Sequence, residues 1–285
     1  MEPGSRAGEG ATEKLEKKSR LFASPRQTGC FPSAQKPAQP SCTKSVISEM
    51  SSTTTTHPPN TKAYLISGCT VADGDALAAN NLPAFWADPH FRLSWPNRTL
   101  EYHVIQIAKR FPNRLLSGRE TKRHLKAVDP ETGRIVGYAR WILPAGFDVS
   151  VWPEAVTPAV SSEDEAFYRR LATMVDWASG DAADEQVSPV KKAEDEILAR
   201  KTYIRLDYLA VHPTQQGRGI ASQLVAKGLE EARKIGHDVY VQAYPPGVGL
   251  YRRLGFHVEQ HILDESEGGE QGGVYRTLMT YSITS

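Results

Sequence analysis

The sequence predicts an α/β protein built on a mixed β-sheet. Three observations point there. Leu206–Val211 reads as a strand, Gln215–Gly219 as a glycine-bearing turn and Ile220–Ala232 as an amphipathic helix, giving a strand-turn-helix unit. A further β-rich stretch, Asp238–Ala243, comes next through Gly236, and a parallel strand-helix-strand unit of this kind crosses right-handedly. Antiparallel strands are expected on both sides, as a hairpin over 125–143 and as a final pair over 256–261 and 274–281.

Composition narrows the function classes. Of the 285 residues 40% are hydrophobic and 24% charged, which is ordinary for a soluble globular chain. A formal net charge of +1 leaves no electrostatic footprint for nucleic acid or a membrane surface. No apolar run approaches the roughly 20 residues that span a bilayer. Cys30, Cys42 and Cys69 are far apart and show no zinc-type spacing. His257 and His261 fall in a stretch read as strand and loop, so no metal is expected. A reducing compartment fits this cysteine usage, with the cytoplasm expected and the nucleus open.

Residues 1–60 differ from the remainder of the chain. They hold seven of the 19 prolines, a Ser-Ser-Thr-Thr-Thr-Thr tract at 51–56, and only Phe22 and Phe31 as aromatics. Such a segment buries too little apolar surface to offset its chain entropy, so a disordered tail is expected. Lys14, Lys17, Lys18, Arg20 and Arg26 suit a mitochondrial presequence, but Glu9, Glu13 and Glu16 among them argue against one.

From residue 61 the chain reads as one domain to residue 285. Ala63–Ser67 is a first strand. Asp73 caps a helix carrying Ala76, Leu77, Ala79 and Ala84, with Pro83 bending or ending it. Trp95-Pro96 marks a break. Arg98–Phe111 repeats apolar residues at Leu100, Val104, Ile107, Ala108 and Phe111, an amphipathic helix. Leu125–Val128 and Ile135–Leu143 flank a turn made by Asp129, Pro130 and Gly133. Residues 144–201 then intervene before the central strand. Ser162-x-x-Glu165 is a capping box for a helix with a Phe167, Leu171, Met174 and Trp177 stripe. Gly180–Val187 is acidic and loop-like, and Ala193–Ala199 is a further short helix. This insertion is either a surface elaboration packed on the sheet or a wall of an acceptor site.

The turn after the central strand has a physical use. Pro213 ends the strand because it has no N–H for the ladder. The first N–H groups of a helix lack intrahelical acceptors, and the helix dipole places partial positive charge there. Gly217 and Gly219 remove Cβ atoms, so a phosphate can approach the backbone, and Arg218 adds a charged fork. A plain β-turn-α connection explains the glycines equally well from the local pattern. The stretch is neither Gly-x4-Gly-Lys-Ser/Thr nor a complete Gly-x-Gly-x-x-Gly, since Ser222 stands where the third glycine belongs.

What it resembles is the acyl-CoA-binding motif of the GNAT superfamily of N-acyltransferases, Gln/Arg-x-x-Gly-x-Gly/Ala. That motif is seen here as Gln216-Gly217-Arg218-Gly219-Ile220-Ala221, after a strand ending Leu209-Ala210-Val211-His212-Pro213. A second signature lies one strand later, Leu250-Tyr251-Arg252-Arg253-Leu254-Gly255-Phe256. The resemblance implies a GNAT fold, a central mixed sheet of about six to seven strands with helices on both faces. It also implies that the two parallel strands flanking the motif helix splay to admit an acyl-CoA. In many members the hairpin leads almost directly into the central strand, so the 144–201 insertion departs from the pattern.

The implied reaction is acetyl or related acyl transfer from acetyl-CoA to a primary amine, through a ternary complex and without a metal. Leu209, Ala210 and Val211 would hold the pantetheine arm, and one N–H there would polarise the thioester. Gln216, Gly217, Arg218, Gly219, Ile220, Ala221 and Ser222 would hold the pyrophosphate. Tyr251 matches the family's tyrosine that touches the acyl-CoA and protonates the leaving thiolate; otherwise it is a half-buried packing aromatic. Asp207, read as pointing away from Tyr208, either takes the amine proton directly or through water, or is a structural carboxylate. Arg252 and Arg253 either meet the CoA 3′-phosphate or are solvated helix charges. No Ser-His-Asp elbow or reactive cysteine is visible, so direct attack is the simpler route. The acceptor would be a small-molecule or peptide amine, and the protein a monomer or homodimer. A non-catalytic acyl-CoA-binding protein, or a regulator working through the basic tail, are the competing readings.

Overall fold

The structure, a computed structural model, describes residues 62–88, 91–92, 95, 98–176, 189–263 and 274–284. All of them lie in the unit Thr56–Ser285. The tail expected over 1–60, Pro96, Trp177, the acidic loop at 180–187 and the loop at 264–273 fall outside the described residues.

Seven strands form one sheet in the order β1-β2-β3-β4-β5-β7-β6. They are β1 (Leu65–Gly68), β2 (Lys122–Val128), β3 (Ile135–Ile142), β4 (Ile204–Val211), β5 (Val239–Ala243), β6 (His257–Leu263) and β7 (Val274–Tyr281). β4 and β5 run parallel and every other neighbouring pair is antiparallel, so the sheet is mixed as expected. The helices described are α1 (Gly74–Trp86), α2 (Leu100–Leu116), α3 (Ser162–Thr173), α4 (Pro189–Leu198), α5 (Ile220–Ile235) and α6 (Pro245–Arg253).

Helices cover both faces. On one, α5 and α6 bury Leu224, Val225 and Tyr251 in a cluster with Trp141, Val241 and Met279. On the other, α1 and α2 bury Leu77, Ile107 and Phe111 with Tyr138. α4 adds Ala193 and Ile197 to a third cluster with Tyr240 and Leu278. The approach of α5 to β3 depends on glycine. A Cβ on Gly228 would meet the Trp141 ring at 1.9 Å, and one on Gly137 would meet Ile220 at 2.6 Å.

Several boundaries differ from those read in the sequence, each for an identifiable reason. Pro83 neither bends α1 into two nor ends it; the helix continues to Trp86, with Leu77, Ala78 and Leu82 buried. α2 likewise passes through Pro112 to Leu116, because Leu115 extends its apolar stripe into the core. Packing along both helices outweighs the backbone hydrogen bond each proline removes. The cap of α3 is Ser161 rather than Ser162. Ser161 Oγ accepts from Asp164 N at 3.1 Å and donates to Asp164 Oδ2 at 2.7 Å. The apolar stripe on α3 does not enter the core, since that helix buries no residue and Phe167 and Met174 are 48% and 74% exposed. α3 lies along α2 instead of on the sheet. The sequence reads as a break at Pro245-Pro246-Gly247 and a short helix over Val248–Leu254, but α6 begins at Pro245 and ends at Arg253, because prolines suit a first helical turn, where no N–H is needed.

The two central strands part. β4 and β5 are paired only over Ile204–Leu206 and Val239–Val241, so the rest of β4, through Val211, has no strand on its β5 side. β4 also carries a bulge. Arg140 lies opposite Tyr208 and Trp141 opposite Leu206, which leaves Asp207 without a β3 partner. The strict alternation read along this strand therefore breaks. Ile204, Leu206, Leu209 and Val211 share the α5-side cluster, while Tyr208 joins the cluster of α1 and α2. The expectation that Asp207 points away from Tyr208 is corrected accordingly. Both lie within reach of Arg140, whose guanidinium pairs with Asp207 and sits 5.5 Å from the Tyr208 ring centroid.

Candidate active site

A cleft of about 1460 Å³ opens where β4 and β5 separate. Every residue expected to hold an acyl-CoA lines it: Leu209, Ala210 and Val211 from β4, Gln216–Ser222 from the turn and the start of α5, and Tyr251 from α6. Asp207 lines it too. The sequence-predicted site residues are thus brought together in one depression, although they span 45 positions of chain from Asp207 to Tyr251.

The turn is built for close approach. Gly217 and Gly219 have φ of +76° and +79°, the left-handed region that side chains disfavour. Nothing lies within 4 Å of where a Gly217 Cβ would stand. Gly219 is the N-cap of α5, and Gln223 N is the first helix amide bonded back to it, at 3.1 Å. The N–H groups of Ile220, Ala221 and Ser222 precede that bond and have no acceptor one turn back within the helix. Gln216 folds inward, its Nε2 donating to Val211 O at 3.2 Å, which ties the turn to the end of β4. Arg218 is exposed at the rim. Arg253 also lines the cleft, whereas Arg252 does not.

Tyr251 is 5% exposed and rests edge-on against Phe256, with ring centroids 5.3 Å apart. Gly247, one turn earlier, leaves room for it: a Cβ there would stand 3.2 Å from the ring. The Tyr251 hydroxyl bonds to no other described residue. Burial raises its pKa, so the phenol holds its proton throughout the neutral range.

Asp207 is not a free carboxylate. Arg140 Nε donates to its Oδ2 at 2.5 Å, and Arg140 Nη2 bonds the same oxygen. For Arg140, burial favours loss of the proton, but Asp207, Tyr138 and Tyr208 together outweigh it and the Arg140 pKa is raised. Sequence reasoning missed this arginine because it arrives from β3, 67 residues away.

It also missed the contribution of α1. Asn80 Nδ2 donates to Ala210 O at 3.4 Å, and its Oδ1 accepts from His212 N at 3.3 Å, clamping α1 to the open end of β4. Asn81, 1% exposed, lines the cleft, and its Nδ2 has no hydrogen-bond partner among the described residues. The cleft is also lined by Tyr208, Tyr240, Tyr244, Arg114, Arg205, Arg276 and, from α4, Glu194. Arg276 stacks 3.4 Å above the Tyr244 ring centroid. Among the described residues, the insertion thus contributes to the cleft through Glu194 of α4, while α3 lies along α2.

Residues 183–258 match the family model described as an acetyltransferase (GNAT) domain. No curated protein matches the chain. Similar solved structures include the histone acetyltransferase HPA2 and related acetyltransferase from Corynebacterium glutamicum, at 19% identity and a TM-score of 0.48, covering 78% of this chain and 97% of that one. The PaiA N-acetyltransferase from Thermoplasma acidophilum, in complex with coenzyme A, gives 10% identity and a TM-score of 0.41 over 78% and 99%. The ribosomal-protein-S18-alanine N-acetyltransferase from Escherichia coli gives 13% and 0.41 over 78% and 94%.

Proposed function

We propose that this chain, which carries a GNAT-type acetyltransferase domain over residues 183–258, transfers an acetyl group from acetyl-CoA directly to a primary amine. The observation that carries the reading is the parting of β4 from β5 in front of the glycine turn and the free first turn of α5. Unpaired backbone on β4 suits the amide-rich pantetheine arm. The α5 N-terminus with Arg218 suits a pyrophosphate. The cleft exceeds the roughly 300–1,000 Å³ of a drug-sized site, which suits a long co-substrate together with an acceptor.

Each residue then has a task. An N–H of the β4 edge donates a hydrogen bond to the thioester carbonyl, stabilising the oxyanion that forms as the amine nitrogen bonds to the carbonyl carbon. A Lys-like amine, of pKa about 10.4, is only about one part in 10³ neutral at pH 7. Asp207 attracts its ammonium form, which loses one proton to solvent before it can attack; Asp207 then accepts the second proton, shed as nitrogen bonds to the carbonyl carbon, directly or through water, while Arg140 fixes the carboxylate. The C–S bond breaks, Tyr251 gives its proton to the departing thiolate, and the proton held by Asp207 passes through water to restore the phenol. Uncharged amide and free CoA thiol leave the site.

The test is incubation with acetyl-CoA and a panel of amines, following thiol release and confirming the acetylated product by mass spectrometry. Thiol release that depends on an amine is the expected result. Tight CoA binding without turnover on a broad panel would replace this reading with that of a non-catalytic acyl-CoA binder. Residues 1–60 enter none of these steps, so their deletion should leave turnover of small amines unchanged.

A further inference from the structure

Beside the cleft, on the α2 face of the sheet, lies a second depression of about 550 Å³. It is walled by Arg114 at the end of α2, Lys122 on β2, Arg140 and Ile142 on β3, and Arg205 and Asp207 on β4. Arg114, Arg205 and Asp207 line both spaces, so the depression opens next to the reacting end of the cleft. Four cations face one carboxylate. Asp207 is already held by Arg140. Arg114, Lys122 and Arg205 make no ion pair among the described residues; Glu194, on the cleft side, offsets part of the Arg205 charge.

These cations are half-buried rather than splayed into solvent. Burial pushes the Lys122 ammonium pKa down, and Arg140 and Arg114 push it the same way. An arrangement of this kind carries a standing electrostatic cost that an oxyanion between the cations would relieve. Asp207 at the shared border supplies the opposite charge where an ammonium would sit. The border therefore presents an anion site and a cation site side by side.

We propose that this depression binds an oxyanion carried by the acceptor, so that the substrate is a zwitterion: a primary amine bearing a carboxylate or phosphate, not a polyamine. The proposal rests on the acetyl-transfer reading and names the substrate class of the same site. Asp207 receives the amine end. Arg114, Lys122 and Arg205 receive the acid end, with the guanidinium forks suited to two-oxygen contact.

The test uses the full chain, acetyl-CoA and acceptors matched in their amine: lysine against pentane-1,5-diamine, and O-phosphoethanolamine against ethanolamine. The acid-bearing member of at least one pair should show kcat/KM about tenfold higher or more, and the pair with the larger preference tells carboxylate from phosphate. Arg114→Ala and Lys122→Ala should each erase most of that preference by raising KM for the acid-bearing acceptor; in Lys122→Ala, at a residue that lines the depression but not the cleft, KM for its partner and Kd for CoA should stay unchanged. Diamine and ethanolamine serving as well as their acid-bearing counterparts would overturn the proposal, as would variants that weaken both members equally. Should no acceptor turn over, calorimetry with lysine and O-phosphoethanolamine, with and without CoA, separates the two readings. Binding lost in Arg114→Ala keeps the anion site while acetyl transfer falls; no binding of either compound removes the anion site itself.

Discussion

Tyr251 combines a buried ring with a hydroxyl that bonds to no other described residue, so its two parts can be tested apart. Tyr251→Phe keeps the ring on Phe256 and removes only the proton and its oxygen. No internal hydrogen bond is lost, so stability should change by less than about 0.5 kcal/mol. If the phenol is the acid, kcat should fall roughly 10²-fold, with CoA affinity unchanged. Melting temperature, calorimetry and single-turnover rates check the three parts, and a wild-type chemical rate would make Tyr251 a packing residue. Asp207 poses the opposite case, since its oxygen is already engaged. Asp207→Asn removes the charge that balances Arg140, whose side chain is 16% exposed. With Asp207 itself at 36%, solvent screens the pair, and a loss of about 1–2 kcal/mol is expected, between surface and buried ion pairs. The KM for the amine should rise as well. A drop in stability with unchanged kinetics would make Asp207 purely structural.

At the scale of the element, the strand-turn-helix unit carries the prediction. Gly219 and Gly236 cap the two ends of α5 with φ of +79° and +81°. Alanine at either position meets the same backbone strain, of about 1–2 kcal/mol. Only Gly219 lies at the cleft. Gly219→Ala should therefore lower both stability and CoA affinity, whereas Gly236→Ala should lower stability by a similar amount and leave CoA binding alone. Denaturant unfolding and calorimetry on the pair check this, and equal CoA affinities would remove the turn from the phosphate site. This unit was readable in the sequence because its determinants are local: Pro213 stops a strand, two glycines shape a turn, and a 3.6-residue stripe makes a helix. The Asp207 bulge was not readable, because it depends on how Arg140 and Trp141 register against β4. Nor was the exposure of Phe167 and Met174, because an apolar stripe marks a face without saying what covers it. The turn and β4 edge of the candidate site could be found from one contiguous motif. The residues that α1, α2 and β3 bring to the candidate site had no such signal, and the 144–201 insertion could be read only as either a surface elaboration or a wall.

At the scale of the whole molecule, the sheet unites these pieces, and His124 ties its stability to pH. His124 sits on β2 between the sheet and α2, 1% exposed, with Nδ1 2.8 Å from the Tyr138 hydroxyl. Its Nε2 has no hydrogen-bond partner among the described residues. Burial pushes its pKa down to about 3, and the charges of Arg140, Lys122, Arg123 and Arg114 act in the same direction. In the unfolded chain the imidazole titrates near pH 6.5. Between those values the unfolded state binds a proton that the folded state refuses, so unfolding becomes easier as pH falls. The slope approaches about 1.4 kcal/mol per pH unit for one such group. The pKa of His103 is also lowered, by burial first, and adds to the same trend. The full stability should be present above about pH 6.5 and decline steadily below it, before the carboxylates of the ion pairs titrate. His124→Gln keeps a polar group near Tyr138 but cannot take up the proton. Its stability at pH 7.5 should be lower, through altered packing in a closed site, yet its decline between pH 6.5 and 4.5 should be shallower than in the parent protein. Denaturant unfolding at half-unit intervals across that range gives both curves. Parallel curves would mean that the acid sensitivity arises elsewhere, and that the buried imidazole and the cations around it are not linked to folding.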